Sequence, residues 1–257
     1  MRAHPAEFLD ALDHVFPTEE GDIASLDPDT FVSAGSREAS YRAAGAVIAA
    51  VDSVLDGADR AAFCAVRPPG HHAEPAQPMG FCVFNNVVIG ALHALHERGL
   101  ARVAVVDLDV HHGNGGQTAA ASEPRLFYAS AHQAPLYPGT GRREERGSAG
   151  NILNVPLPAG TTGPAWRAAL DAELWPALEA FAPDLLLVSI GFDGHADDPL
   201  AGWALTEADY AWAGARVGEI AGRVCRGKVV STLEGGYDLA ALERATIAYA
   251  SAFDRAE

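Results

Sequence analysis

Cysteine is scarce in this sequence of 257 residues, and no apolar run approaches the length of a membrane span. The three cysteines, Cys64, Cys82 and Cys225, are an odd number at scattered positions, which argues against a disulfide framework or a cysteine-based zinc site. The opening MRAHPAEFLD lacks the charged stub and apolar segment of a secretory signal. We therefore expect a reduced, cytoplasmic protein with no membrane partner.

Positive charge is also scarce, with 18 Lys and Arg residues against 34 Asp and Glu residues and a formal net charge of −16. Phosphate backbones repel such a surface, so we expect no direct nucleic-acid partner. The charge would attract a cationic small molecule or a lysine-bearing peptide. A well-solvated acidic surface is the simpler interpretation, and charge alone does not select a substrate.

Two common catalytic signatures are missing. The chain has no Gly-x-Ser-x-Gly nucleophile elbow and no phosphate-binding loop. The segment GNGG at 113–116 does not match Gly-x-Gly-x-x-Gly, and it follows a polar cluster rather than opening a helix directly. The sequence therefore gives little support to nucleotide binding.

Apolar strand-like runs alternate with helical segments along the chain. The predicted strands are 61–66, 101–110, 125–132, 152–157, 184–193 and 228–237. The predicted helices are 38–55, 85–99, 164–182, one that begins at a capping box of Thr206 and Asp209 and runs through Val224, and one that closes the chain. Such alternation predicts a mostly parallel sheet covered on both faces. With no repeat or linker to mark a boundary, we expect a single-domain, three-layer α/β/α fold over residues 1–257.

Four of the predicted strands end in unusual polar sequences: RPPGHH, DLDVHHGNG, IGFDGHADDP and LEGGY. Ligands of parallel sheets sit beyond the carboxyl ends of the strands, so these four segments should converge. Asp109 and His111 lie two apart and share one face of an extended segment, and Asp193 follows another strand. Two carboxylates and one imidazole leave a coordination position open, which is the arrangement of a catalytic Zn²⁺ site.

The remaining polar residues at these strand ends indicate proton chemistry. One of the tandem histidines His71 and His72 needs a carboxylate to orient it, which Asp107 could supply, and the other could take a proton from the attacking water and pass it to a leaving amine. Alternatively, the pair are metal ligands themselves. Tyr237 follows two glycines and could donate a hydrogen bond to a carbonyl oxygen as charge builds on it, or simply pack on a turn. Together these residues describe metal-assisted hydrolysis of an amide.

The sequence closely resembles the histone deacetylase superfamily, particularly the class II-like and bacterial acetylpolyamine amidohydrolase branch of the arginase/deacetylase fold. The matching segments are LDPDTFVSAGS, RPPGHHAE, MGFCVFNN, VDLDVHHGNG, YPGTG, GFDGHADDPL and LEGGYDL, in the family's order from residue 26 to 239. The resemblance implies a zinc-dependent amidohydrolase that removes acetyl or other short acyl groups from N-acyl amines. Its substrate would be an acetyl-lysine peptide or an acetylpolyamine.

The resemblance also implies individual roles. The zinc ligands would be Asp109, His111 and Asp193. His71 and His72 would be the paired active-site histidines, with His72 as general base and acid, Asp107 orienting His71, and Tyr237 as the transition-state phenol.

Further roles concern the channel and a second ion. Phe81 and Tyr137 would line the substrate channel. By the resemblance, Asp27 and Asp29 would lie on a loop near the rim of the active site, where one of them would clamp the substrate's backbone or amine, unless the pair only caps a turn. A structural K⁺ would bind Asp107 and backbone oxygens about His111 and Ser130.

Two features depart from the family's pattern. Asn114 stands where some relatives carry an aspartate partner for the second histidine, and a neutral partner should leave His72 less basic. Members of the family usually have several dozen more residues before the stretch matching AHPAEFLDAL, including an edge strand and a further loop at the active-site rim. The shorter chain indicates either a complete enzyme with a wider mouth or a truncated sheet whose exposed edge favours a homo-oligomer.

Two other functions compete with the deacetylase. A deacetylase-like binding module would hold acyl-lysine or metal without turnover, but its usual sign, loss of Tyr237, a ligand or the histidine pair, is absent. An arginase-like hydrolase with two Mn²⁺ ions would need further bridging carboxylates, and DLDVHHG offers a histidine where a second metal would require another Asp.

Overall fold

The structure, a computed structural model, describes residues 3–252. Its helices are α1 (Ala6–Val15), α2 (Ser36–Asp56), α3 (Asn86–His96), α4 (Asn114–Ser122), α5 (Gly163–Ala169), α6 (Trp175–Phe181), α7 (Glu207–Cys225) and α8 (Leu239–Ala250). A π-helical turn, Leu170–Leu174, joins α5 to α6 without a break. Its strands are β1 (Ile23–Ser25), β2 (Phe31–Ser33), β3 (Ala61–Cys64), β4 (Val103–Asp107), β5 (Leu126–Gln133), β6 (Ile152–Leu157), β7 (Leu185–Ile190) and β8 (Val229–Leu233).

Six of the strands form one parallel sheet in the order β3-β8-β7-β4-β5-β6. The remaining two, β1 and β2, pair antiparallel as a separate hairpin. The prediction of a mostly parallel sheet is therefore confirmed. The strands predicted over 101–110, 184–193 and 228–237 are shorter than expected, because the polar residues at their ends leave the sheet.

The sheet buries a different set of side chains on each face because successive residues of a strand point in opposite directions. In β4, Ala104 and Val106 pack with the helices α5 to α8, where Trp166, Leu170, Tyr210 and Val217 are fully buried. Val103 and Val105 point the other way and pack against α2 and α3. These two cores and the sheet between them form the three layers that the sequence predicted.

A third, smaller cluster lies beside the histidine loop at 67–73. It joins α1 and the β1–β2 hairpin to Phe84 through Phe8, Leu12, Phe16 and Val32. Among residues 3–252, no helix combines the length and apolarity needed to cross a bilayer.

The direction of winding changes at the centre of the sheet. From β4 the chain proceeds to β5 and β6 on one side, then returns to β7 on the other side of β4. The carboxyl ends of β4 and β7 therefore border the crevice where open α/β sheets bind ligands. Asp107 at the end of β4 is in register with Ser189 of β7 and Ser130 of β5.

The predicted capping box of α7 is confirmed and gives a test of local stability. Asp209 Oδ2 accepts hydrogen bonds from the backbone N and the hydroxyl of Thr206, both at 2.9 Å. We expect Thr206→Ala to lower the free energy of unfolding by about 1 kcal/mol. Urea denaturation measures this, with Thr18→Ala at an exposed loop position as the control; equal stability of the two variants would contradict the role of the cap.

Candidate metal centre and active site

Three side chains with ligand atoms meet beyond the ends of β4 and β7. The ligand atoms of Asp109, His111 and Asp193 all lie within 4.8 Å of one another, and the three residues are buried. His111 Nδ1 is 3.1 Å from Asp109 Oδ1 and 3.1 Å from Asp193 Oδ2. The structure thus brings together the three residues that the sequence singled out as metal ligands.

Backbone groups hold the two carboxylates of this triad in place. Gly235 N donates a hydrogen bond to Asp109 Oδ2 at 2.8 Å, and Val110 N donates one to Asp193 Oδ1 at 3.2 Å. Glycine is required at two positions of this cradle. A Cβ at Gly191 would collide with Asp109 Oδ2, and a Cβ at Gly235 would collide with Asp193 Oδ2.

The charges of the triad fit a divalent cation. Among residues 3–252, the ion-pair partners of Asp109 and Asp193 are imidazoles, those of His71 and His111. Burial disfavours protonation of His111, but its hydrogen bonds to the two carboxylates outweigh burial and raise its pKa to about 10. A metal ion can replace that proton, since two carboxylate oxygens and one imidazole nitrogen form a donor set that binds catalytic metals.

His71 is paired with a carboxylate, as the sequence suggested. Its Nδ1 lies 3.1 Å from Asp107 Oδ2, and the Tyr128 hydroxyl donates a hydrogen bond to the same oxygen at 2.9 Å. Burial opposes the charged imidazole, but the negative charges of Asp107 and Asp109 outweigh burial and raise the pKa of His71 to about 10. His71 is therefore held as an imidazolium.

His72 is paired with an amide instead. Its Nδ1 lies 2.9 Å from Asn114 Oδ1. The Asn114 amide nitrogen donates to His72 O at 3.1 Å and to Glu74 Oε1 at 2.6 Å, so the amide oxygen must be the group that faces the ring. Burial and the positive charge of His71 lower the pKa of His72 well below its usual value. His72 is therefore neutral, with its proton on Nδ1 and a free lone pair on Nε2.

Tyr237 lies half-buried on the loop after β8, close enough to the triad to be affected by the charges of Asp193 and Asp109. Asp198 Oδ2 fixes this loop by accepting hydrogen bonds from Tyr237 N at 2.7 Å and Asp238 N at 3.3 Å. Burial and the charges of Asp193 and Asp109 raise the pKa of Tyr237 well above its usual value. The phenol consequently stays protonated and can act as a hydrogen-bond donor.

Phe81 and Tyr137 flank the approach to these groups. The Phe81 ring packs edge-on against Tyr237, with centroids 5.8 Å apart, and the Tyr137 ring packs edge-on against His72 at 5.0 Å. Both aromatic side chains are partly exposed, 37% and 38%. Phe81 has a φ of +66°, a conformation that non-glycine residues rarely adopt unless their surroundings impose it.

The rim loop that contains Asp27 and Asp29 imposes this conformation. Asp27 Oδ1 accepts the backbone N–H groups of Asp29 and Thr30, at 3.0 and 2.7 Å, which caps the turn. Asp29 Oδ1 accepts Gly80 N at 3.2 Å, and the Thr30 hydroxyl accepts Phe81 N at 3.0 Å. The turn-capping alternative thus applies to Asp27, whereas Asp29 connects the turn to the segment that carries Phe81.

Two further expectations concern the histidine pair as metal ligands and the K⁺ site. Among residues 3–252, the group of side chains whose ligand atoms come together comprises Asp109, His111 and Asp193 and includes neither His71 nor His72, which disfavours the alternative that the pair binds the metal. For the K⁺ site, Ser130 neighbours Asp107 in the sheet, but its hydroxyl lies 2.9 Å from His132 Nδ1. The potassium ion stays a prediction.

Several residues that shape the site were missed by the sequence analysis. They are Glu234, which accepts hydrogen bonds from the histidine loop; Asp198, which holds the Tyr237 loop; and Tyr128, which donates to Asp107. Glu234 and Asp198 lie within the quoted motifs LEGGY and GFDGHADDPL. The sequence therefore drew attention to both segments, but it did not indicate the hydrogen-bond partners of the two side chains. Burial raises the pKa of Glu234 to about 7.

A parallel sheet with this triad at its switch point defines an α/β protein with a candidate metal site, and comparisons with known proteins identify its family. A family model described as "Histone deacetylase domain" matches residues 1–253, and the chain belongs to this family. A chloroplastic histone deacetylase 10 of Oryza sativa subsp. japonica is 46% identical over 77% of the chain, which spans 47% of that protein, about half its length.

Two longer matches cover nearly the whole chain. An uncharacterized protein of Synechocystis is 42% identical over 96% of the chain and 78% of its own length. The crystal structure of an acetylpolyamine aminohydrolase from Burkholderia pseudomallei superimposes with a TM-score of 0.87 and 32% identity, covering 99% of this chain and 82% of that one.

The amide partner of His72 leads to a prediction about pH. A carboxylate at position 114 would stabilise the protonated ring and raise the pKa of His72, so the base would be protonated up to a higher pH. We expect the acidic limb of the kcat/KM profile to move upward by about one to two pH units. Because Glu74 Oε1 contacts the Asn114 amide, Asn114→Asp is best made together with Glu74→Gln.

The Glu74→Gln single variant is the matched control for this experiment. The alkaline limb of the profile should stay where it is in both proteins. An acidic limb at the same pH in the single and the double variant would contradict the interpretation of Asn114.

Proposed function

We propose that this protein is a zinc-dependent amidohydrolase that removes acetyl or other short acyl groups from N-acyl amines, with residues 1–257 acting as one catalytic domain. The observation that carries the proposal is the meeting of a metal-binding triad, a neutral histidine and a protonated phenol at one edge of the sheet. The names of similar proteins support it, among them a histone deacetylase-like amidohydrolase of Pseudomonas aeruginosa, 39% identical over 92% of the chain.

Asp109, His111 and Asp193 would hold the zinc ion. When bound, zinc would polarise the acyl carbonyl and lower the pKa of the attacking water. Three protein ligands would leave a coordination position for water or substrate on a zinc ion, which prefers four ligands.

His72 would act as the general base and then as the general acid. Asn114 keeps the ring proton on Nδ1, so Nε2 can take a proton from the attacking water and later deliver it to the leaving amine. The His72 ring lies near the triad, 5.9 Å from the His111 ring between centroids. Beside it, the His71 imidazolium held by Asp107 would supply positive charge where negative charge develops on the acyl oxygen.

Tyr237 would donate a hydrogen bond to the acyl oxygen as negative charge builds there. Phe81 and Tyr137 would grip the chain that carries the acyl group, since both rings pack on catalytic side chains and remain partly exposed. Asp29 lies on the loop beside Phe81, where its carboxylate would bind an N–H group or a cationic amine of the substrate. This arrangement accepts an acetyl-lysine peptide or an acetylpolyamine.

The surroundings of the protein are also proposals. All three cysteines are buried and free, which supports a reducing compartment such as the cytoplasm. Within residues 3–252 the sheet ends at β3 and β6, and either edge could pair with a second copy. In addition to zinc, the protein would bind a structural K⁺ ion near Asp107 and Ser130.

Tyr237→Phe tests the mechanism because it removes one hydroxyl and leaves the ring in place. We expect zinc content to remain near one per chain and kcat for acetate release to fall about 100- to 1,000-fold. Acetyl-lysine peptide and acetylated polyamines are assayed side by side, and Tyr41→Phe, at a distant exposed tyrosine, is the control.

Three outcomes would contradict the proposal. Undiminished turnover in Tyr237→Phe would remove the phenol from the mechanism. Tight zinc without turnover of any acyl amine would indicate a binding module, and two Mn²⁺ ions per chain would indicate an arginase-like hydrolase.

A further inference from the structure

Glu234, directly after β8, is a fully buried carboxylate that the proposed mechanism does not use. Its Oε2 accepts two backbone N–H groups of the histidine loop, Gly70 N at 2.6 Å and His71 N at 3.1 Å. Its Oε1 accepts the hydroxyl of Ser189, a residue of β7, at 2.8 Å. The carboxylate therefore connects the histidine loop to two strands in the middle of the sheet.

The next residue contacts the metal triad. Gly235 N donates its hydrogen bond to Asp109 Oδ2 at 2.8 Å. Glu234 and Gly235 are consecutive and both buried, so the carboxylate that holds the histidine loop and the N–H group that holds a metal ligand come from one short segment directly after β8. No other pair of consecutive residues among the described hydrogen bonds holds both Asp109 and the backbone of His71.

The opposite side of the histidine loop is held by α4. Gly115 N donates to His71 O, and the Asn114 amide donates to His72 O, both at 3.1 Å. The loop therefore lies between α4 and the Glu234 carboxylate. Asn85 and Asn86, at the start of α3, also hold the loop through Ala73 O at 3.0 Å and Pro68 O at 3.1 Å. Without Glu234, however, the N–H groups of Gly70 and His71 would be buried without their acceptor.

We propose that Glu234 is a positioning residue that sets the distance of His71 and His72 from the metal triad. The inference rests on the proposed amide hydrolysis, in which His72 must reach the attacking water beside the metal. A displacement of about 1 Å in such a group can lower a rate about 100-fold. Glu234 would act through the histidine loop without touching the substrate.

The test compares Glu234→Ala and Glu234→Gln with the wild type, all loaded with zinc. We expect kcat of Glu234→Ala to fall about 10- to 100-fold with KM little changed, because the histidines move while the channel stays intact. Glutamine should restore most of the rate, since its single amide oxygen can accept both N–H groups. Ser189→Ala is the control: it removes the contact to Oε1 and leaves the histidine loop bound, so its kcat should match the wild type.

Zinc content and crystal structures of the same variants give a readout independent of activity. In Glu234→Ala we expect one zinc per chain, an unchanged triad and a His72 ring displaced by about 1 Å. Histidines that keep their position in Glu234→Ala would overturn the proposal, and so would a glutamine variant as impaired as the alanine one. If the wild type hydrolyses no acyl amine, the proposed function fails, while the position of His72 still decides the role of Glu234.

Discussion

Two carboxylates buried on either side of the His111 imidazole are the constraint on which the rest of this structure depends. Asp109 and Asp193 are fully enclosed at the switch point of the sheet, and His111 Nδ1 faces both. Removing ionised carboxylates from water costs several kcal/mol each unless they gain partners of opposite charge. The fold supplies such partners as backbone N–H groups and two imidazoles. These groups hold the carboxylates in an arrangement that suits a divalent metal ion.

The same negative charge assigns different roles to two adjacent histidines. His71, between Asp107 and Asp109, is stabilised as a cation, and that cation together with burial keeps His72 neutral. Their hydrogen-bond partners maintain this difference in charge, since the His71 ring faces the Asp107 carboxylate and the His72 ring faces the Asn114 amide oxygen. A pair of identical side chains thus provides a fixed charge and a base, and the environment alone distinguishes them.

Much of the fold and of the site was predictable from local patterns. Continuous apolar runs identified all six strands of the main sheet, and the rule for carboxyl ends of parallel strands identified the triad.

The β1–β2 hairpin was missed because its strands have three residues each and mostly exposed side chains. Helices α1 and α4 were not predicted either, and the expectation that GNGG does not open a helix directly was wrong, since α4 begins at Asn114. The sequence did not indicate the roles of Glu234, Asp198 and Tyr128, because these roles depend on which strands are neighbours in the sheet. In particular, β7 lies between β4 and β8 because the chain crosses back over the sheet after β6.

Isothermal titration calorimetry of zinc binding to the wild type and to Asp193→Asn tests whether the triad is the metal site. Asp184→Asn is the matched control, because Asp184 lies before β7, at the opposite end of that strand from Asp193. Its carboxylate accepts hydrogen bonds from the backbone N–H groups of Ala101 and Arg102. We expect about one zinc per wild-type chain and a loss of zinc affinity in Asp193→Asn greater than the roughly 10- to 100-fold loss typical of residues that support a ligand. The affinity of the control should be unchanged. Equal zinc affinity in all three proteins would contradict the assignment of the triad as the metal site.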